Sequence, residues 1–241
     1  MTPVSDDALN GLDKTGQGWG QGRQVDSENR PVSSLQFQEK YGQYGAYFIG
    51  PSVPGLKTVY LTFDEGYENG YTEKILDTLS EKKVRAAFFV TGDYVERSPE
   101  LVGRMIEEGH AVGNHSENHH SFPELSLERQ REELGLLADR LADRFSYTCT
   151  LFRPPCGEFS EQTLACAQAM GYKTLFWSYA YKDWEEGKGI GAEAALEKAV
   201  GALHDGAIYL LHAVSADNAA MLGDFIDAAH RDGYTFSVIG S

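Results

Sequence analysis

A chain of 241 residues, 41% hydrophobic and 12% aromatic, suits a folded protein of one large domain or two small ones. Its 36 acidic residues against 21 basic ones leave a formal charge of −15, which argues against a broad nucleic-acid or anionic-membrane surface. No apolar run approaches the roughly 18–20 residues of a membrane span, and residues 1–22 show no apolar core of a signal peptide.

Residues 1–50 are rich in Gly, Gln, Ser and Asp and only weakly periodic. They read as an extended arm with one short helix near Ser33–Tyr41, ahead of a catalytic domain over residues 51–241. After Pro51, β-rich apolar runs occur at Thr58–Phe63, Ala86–Val90, Ala111–Gly113, Thr150–Phe152, Thr174–Trp177, Ala207–Leu211 and Thr235–Ile239. Helical periodicity fills the intervals at Thr72–Glu81, Pro99–Glu108, Ser126–Phe145, Ser160–Met170, Ala192–Leu203 and Ala216–Ala229. Strand alternating with helix predicts an α/β fold, a parallel sheet covered by helices and either open or closed into a barrel. Chemistry in such folds collects at the C-terminal ends of strands.

The residues there are suggestive. Asp64 and Glu65 follow the Thr58–Phe63 run in TFDEGYENGYT. An EF-hand loop would need a ligand at the third position and glycine at the sixth; here those are Gly66 and Asn69, so a calcium loop is excluded. In GNHSENHHSF, His115 and His119 stand four apart, which one helical turn would turn into a zinc-style pair, with Glu117 pointing elsewhere. A surface helix that carries several histidines is the plainer alternative. Arg153 precedes two prolines in LFRPPCGEFS, a context that holds the side chain for orienting a carboxylate or for a structural ion pair. Asp183 and Trp184 end one strand region, and His212 ends another; a carboxylate beside His212 would raise its pKa towards that of a usable general acid. Cys149, Cys156 and Cys166 lack CxxC spacing and read as thiols without a chemical role, with a Cys149–Cys166 bridge as the alternative. Together these strand-end residues form the inventory of a metal-assisted hydrolase.

From Thr58 to the C-terminus, the ordered stretches TFDEGYENGYT, GNHS..HH, FRPPCG, FWS.A..DW and GAIYLLHAVS.DNA resemble the polysaccharide deacetylases with a NodB-homology domain, carbohydrate esterase family four. Within that family they look like the delta-lactam-biosynthetic de-N-acetylases, which act on N-acetylmuramic acid in spore peptidoglycan. The resemblance implies a distorted (β/α) barrel, a divalent metal, mostly zinc, a peptidoglycan glycan strand as substrate, and secretion to the cell envelope. It implies Asp64 as catalytic base, Arg153 as its orienting partner, His212 as general acid and Asp183 as the group that sets the charge of His212. His115 and His119 would bind the metal, while Trp184 and Leu210 would line a pocket for the acetyl methyl. Two departures stand out. Glu65 replaces the Asp that usually completes the metal shell, which leaves the choice between Glu65 and water as third ligand. Cys156 replaces an aromatic residue or arginine at a position whose backbone N–H helps to hold the oxyanion. Deacetylation of chitin-like oligomers, acetylated xylan or N-acetylglucosamine strands is the rival activity, and an inactive glycan-binding homologue is the rival outside catalysis.

Overall fold

The structure, a computed structural model, describes residues 5–52, 54–185 and 187–240. The arm carries α1 (Asp6–Asn10), β1 (Gln17–Gly18), α2 (Val32–Tyr41) and β2 (Ala46–Tyr47). It is not loose. Tyr41 and Phe48 are fully buried in an aromatic cluster with Trp19, Phe159, Phe176 and Trp177. Phe48 stacks on Phe176 with ring centroids 4.2 Å apart, so the arm shares a core with the residues that follow it.

Beyond it come β3 (Lys57–Glu65), α3 (Thr72–Lys82), β4 (Ala87–Val90), α4 (Gly92–Arg97), α5 (Pro99–Glu107), β5 (Ala111–Asn114) and α6 (Leu127–Phe145). The second half holds β6 (Leu151–Phe152), β7 (Glu158–Phe159), α7 (Glu161–Ala169), β8 (Lys173–Leu175), α8 (Ala192–Gly201), β9 (Ala207–His212), α9 (Ala216–Arg231) and β10 (Tyr234–Phe236). One sheet runs β10-β3-β4-β5-β6-β8-β2, and β9 also pairs with β3. Every pairing in it is parallel. The sheet curls until Ser178 and Tyr179, just past β8, donate to the Ile208 carbonyl of β9 at 2.9 and 3.1 Å. The result is the distorted barrel that the family resemblance implies, and it decides between the open and closed sheets that the strand–helix pattern allows.

β3 explains how one strand serves two layers. Val59, Leu61 and Phe63 join Ile75, Leu76 and Leu79 of α3 in the layer between sheet and helices. Tyr60 instead meets Ala87, Phe89, Leu151, Leu175 and Ile208 inside the curl. Because side chains alternate along a strand, Asp64 falls with the interior set and Glu65 with the helix-facing set.

Register then levels the strand ends. Asp64 lies opposite Phe89 on one side and His212 on the other, and Asn114 lies opposite both Val90 and Phe152. The residues that follow, His115 and Arg153, therefore emerge at one rim.

Several sequence expectations shift. β3 runs two residues further than expected, so Asp64 and Glu65 belong to the strand. Helix α4 was not foreseen; it is only six residues long, and its signal is Thr91, whose hydroxyl accepts from Tyr94 N at 3.3 Å. The last strand stops at Phe236 rather than Ile239. All three cysteines are free thiols.

Candidate active site

A cleft of about 1130 Å³ opens at the C-terminal rim of the strands. Asp64, His115, His119, Cys156, Trp184, Leu210 and His212 all line it. Its floor is the Asp64–Arg153 pair: Nη1 of Arg153 donates to Asp64 Oδ1 at 2.7 Å, and both residues are buried. The guanidinium is fixed on three more sides. Nε donates to the Leu175 carbonyl and Nη2 to the Phe176 carbonyl, each at 3.0 Å, and the group lies 4.2 Å over the Phe89 ring. A residue held this way cannot swing, so it sets the orientation of the carboxylate. Burial opposes the charged form of Asp64, but Arg153, with His115 and His212 nearby, outweighs it and holds the carboxyl below the usual range. Burial also pulls Arg153 below its ordinary value, yet a guanidinium remains charged at any physiological pH. The pair is ionic.

His115 leaves the end of β5. Its Nδ1 meets the Arg153 carbonyl at 2.8 Å, and a carbonyl only accepts, so Nδ1 carries the proton and Nε2 a lone pair. That Nε2 lies 3.5 Å from Asp64 Oδ2. Burial pushes the His115 pKa down to about 4 and lowers that of His119, which keeps both rings neutral. The rings stand 4.9 Å apart, edge to face.

The pair does not arise from a helical turn. Ser116 and His119 have φ of 69° and 57°, so this stretch is a left-handed loop. The loop is tied down by Asn114 Oδ1 accepting from Ser116 N at 2.8 Å and Ser116 Oγ accepting from His119 N at 2.9 Å. Glu133 of α6 anchors its outer side, accepting from Asn118 N at 2.8 Å. Glu117 does not point away as expected: it lines the cleft and binds Arg140 at 2.7 Å.

Two neutral imidazoles side by side, with unprotonated nitrogen facing a carboxylate, fit a divalent cation as partial ligands. Glu65 does not complete the set. It is wholly buried on the helix-facing side of β3, outside the cleft lining. Neither of its oxygens makes a well-formed hydrogen bond, although the Thr72 and Tyr94 hydroxyls lie close enough to ease its charge. Burial, then the charges of Glu68 and Asp64, push its pKa well up. Among the described residues no three His, Cys, Asp or Glu side chains form a metal-binding group. Strand alternation is the reason that adjacent carboxylates part company here.

Across the cleft, Asp183 binds His212 twice: Oδ1 to the ring Nδ1 at 2.7 Å and Oδ2 from the backbone N–H at 2.9 Å. Asn218 adds a third bond to Asp183 Oδ2 at 2.6 Å and is itself held by the Tyr181 hydroxyl at 2.6 Å. Asn218 reaches in because Ser215 caps α9, accepting from Asn218 N at 3.3 Å. Burial acts against protonation of His212, but Asp183, by hydrogen bond and by charge, and then Asp64, leave its pKa raised. Trp184 is half exposed, its ring 5.6 Å from that of His212, and Leu210 is buried beneath. Cys156 has φ of 57° and is exposed at the cleft. Sequence reasoning missed Asn218 and Tyr181, whose signal was the Ser-x-x-Asn cap spacing. It also missed the arm: Trp19, Gly20 and Gln21 form part of the wall.

Comparison with known proteins agrees with this geometry. A polysaccharide deacetylase profile matches residues 53–175. The peptidoglycan-N-acetylmuramic acid deacetylase PdaA of Bacillus subtilis is 40% identical over 92% of this chain and 83% of its own length. The solved structure of Bacillus subtilis PdaA, described as a family 4 carbohydrate esterase, superposes with a TM-score of 0.88 at 38% identity, over 95% of this chain and 97% of that one. The peptidoglycan-N-acetylglucosamine deacetylase PgdA of Listeria monocytogenes is 34% identical over 78% of this chain and 40% of its own length. With the profile over half its length and these relatives along most of the rest, the chain belongs to the polysaccharide deacetylase family.

Proposed function

We propose that this protein removes the N-acetyl group from N-acetylmuramic acid in peptidoglycan glycan strands, on the route to muramic delta-lactam in the spore cortex. The observation that carries the reading is the pairing of Asp64, ionised against Arg153, with His212, charged through Asp183, across one cleft. The 40% identity to PdaA points to the sugar. Residues 51–241 form the catalytic domain in this reading, residues 1–50 its arm, and the substrate places the protein at the cell envelope.

His115 and His119 would hold a divalent cation, most simply zinc, with water in place of a third side chain. That cation, when bound, supplies polarisation of the acetamide carbonyl and a more acidic water. Asp64, kept anionic and aimed by Arg153, takes a proton from the attacking water. The Cys156 backbone N–H donates to the developing oxyanion. His212 gives its proton to the sugar nitrogen, because an amide nitrogen leaves poorly unprotonated. Trp184 and Leu210 enclose the acetyl methyl. A glycan-binding homologue without catalysis would have no use for an acid and a base that face each other.

Acetate release from peptide-free glycan strands tests the reading. Release should fall by on the order of a hundredfold or more after chelation and return with zinc. Release indifferent to chelator would remove the cation from the proposal.

A further inference from the structure

The arm contributes more than packing. Backbone N–H of Trp19 donates to the Gly157 carbonyl at 3.0 Å, beside Cys156, and its indole N–H donates to the Trp177 carbonyl at 2.9 Å. The Trp19 ring packs 4.7 Å from Phe48. Gln21 bridges to the opposite loop: its Nε2 donates to the Ala180 carbonyl at 3.0 Å, and its Oε1 accepts from Trp177 Nε1 at 3.0 Å. An amide has two donors and two acceptor sites, so these contacts leave Gln21 one of each at the cleft. Between these two fixed residues Gly20 is exposed on the cleft wall, and a Cβ placed there would meet nothing within 4 Å.

A rigid backbone step and an amide with spare hydrogen-bonding capacity are features that meet the polar edges of a sugar ring, and the buried Trp19 and Trp177 indoles behind them hold the step in place. This wall lies outside residues 53–175, which the family profile matches. The match to the muramic acid deacetylase covers 92% of the chain and so reaches into residues 1–50.

We infer that Trp19, Gly20 and Gln21 form a glycan-binding wall that seats the strand beside the acetamide under attack. The inference rests on the glycan-strand reading above. It makes these residues positioning residues rather than catalytic ones.

Gly20→Phe is the probe, because Gly20 is exposed and a Cβ there meets no protein atom within 4 Å. Acetate release from peptide-free strands should show KM raised about tenfold with kcat within about twofold of wild type, and an unchanged thermal midpoint. Gln21→Ala should move KM in the same direction by less. Unchanged KM in a folded Gly20→Phe variant would overturn the inference. Calorimetric binding of the same strands, on an Asp64→Asn background, needs no turnover: about tenfold weaker binding by Gly20→Phe supports the wall, and equal binding refutes it. A wild-type enzyme that binds strands but releases no acetate would count against the proposed function and leave this test intact.

Discussion

Asp183 has the most exposed assignment at the scale of single residues, because its effect on His212 has a sign. Raising the His212 pKa keeps the acid protonated further into the alkaline range, so activity should be lost only as pH rises through that raised value. Asp183→Asn keeps a hydrogen-bond acceptor and removes the charge. Its alkaline limb in kcat/KM should move to lower pH, with activity at neutral pH down by about ten- to a hundredfold. Stability carries the same sign. A group whose pKa is raised on folding stabilises fully below its unfolded value, about 6.5 for His, and that contribution fades as pH rises through the folded value. The gap in thermal midpoint between wild type and Asp183→Asn should therefore be wider at pH 6 than at pH 9. An unmoved alkaline limb would show that Asp183 does not tune His212. Asp64, His115, Arg153 and His212 were legible because each stands at or just past the end of an apolar run, whereas Asp183, expected with Trp184 at a strand end, lies in a loop eight residues beyond β8. What spacing could not show was direction: adjacent Asp64 and Glu65 read alike in sequence, and only strand parity separates them.

Among the elements, β4, β5 and the arginine form a stack with little slack. A Cβ at Gly113 would come within 2.4 Å of the Phe89 ring, on which Arg153 lies. Gly113→Ala must displace that ring, and overpacking of this kind costs about 1–3 kcal/mol. Denaturant unfolding should show that loss, and Gly113→Ala with Phe89→Leu should recover part of it. If the single variant is as stable as wild type, Phe89 is not a fixed support. The long elements were readable from periodicity, as with Leu134, Leu137 and Leu141 along α6. The 115–121 loop was not. Histidines four apart predict a helical pair, but Asn114, Ser116 and Glu133 satisfy that backbone through side chains instead, a local competition that an apolar pattern does not encode.

For the whole molecule, the curl of the sheet and the docked arm decide what the cleft is. Parallel strands with level ends bring residues from β3 to β9 to one rim, an outcome that alternating strand and helix foretold. The arm's role could not be foretold, since β1 has two residues and the arm's anchor is a cluster of aromatics scattered from Trp19 to Trp177. Long-range packing of this kind leaves no periodic trace. The acidic balance argues only against a broad nucleic-acid surface. Substrate choice is a property of the cleft.

The central claim, that Asp64 acts with His212 to deacetylate muramic acid, is met most directly by mass spectrometry of muramidase-digested peptidoglycan strands after enzyme treatment. Wild type should yield fragments lacking one acetyl group on muramic acid, and folded Asp64→Asn should yield none above background. Equal deacetylation by Asp64→Asn, or acetyl loss confined to glucosamine, would contradict the account.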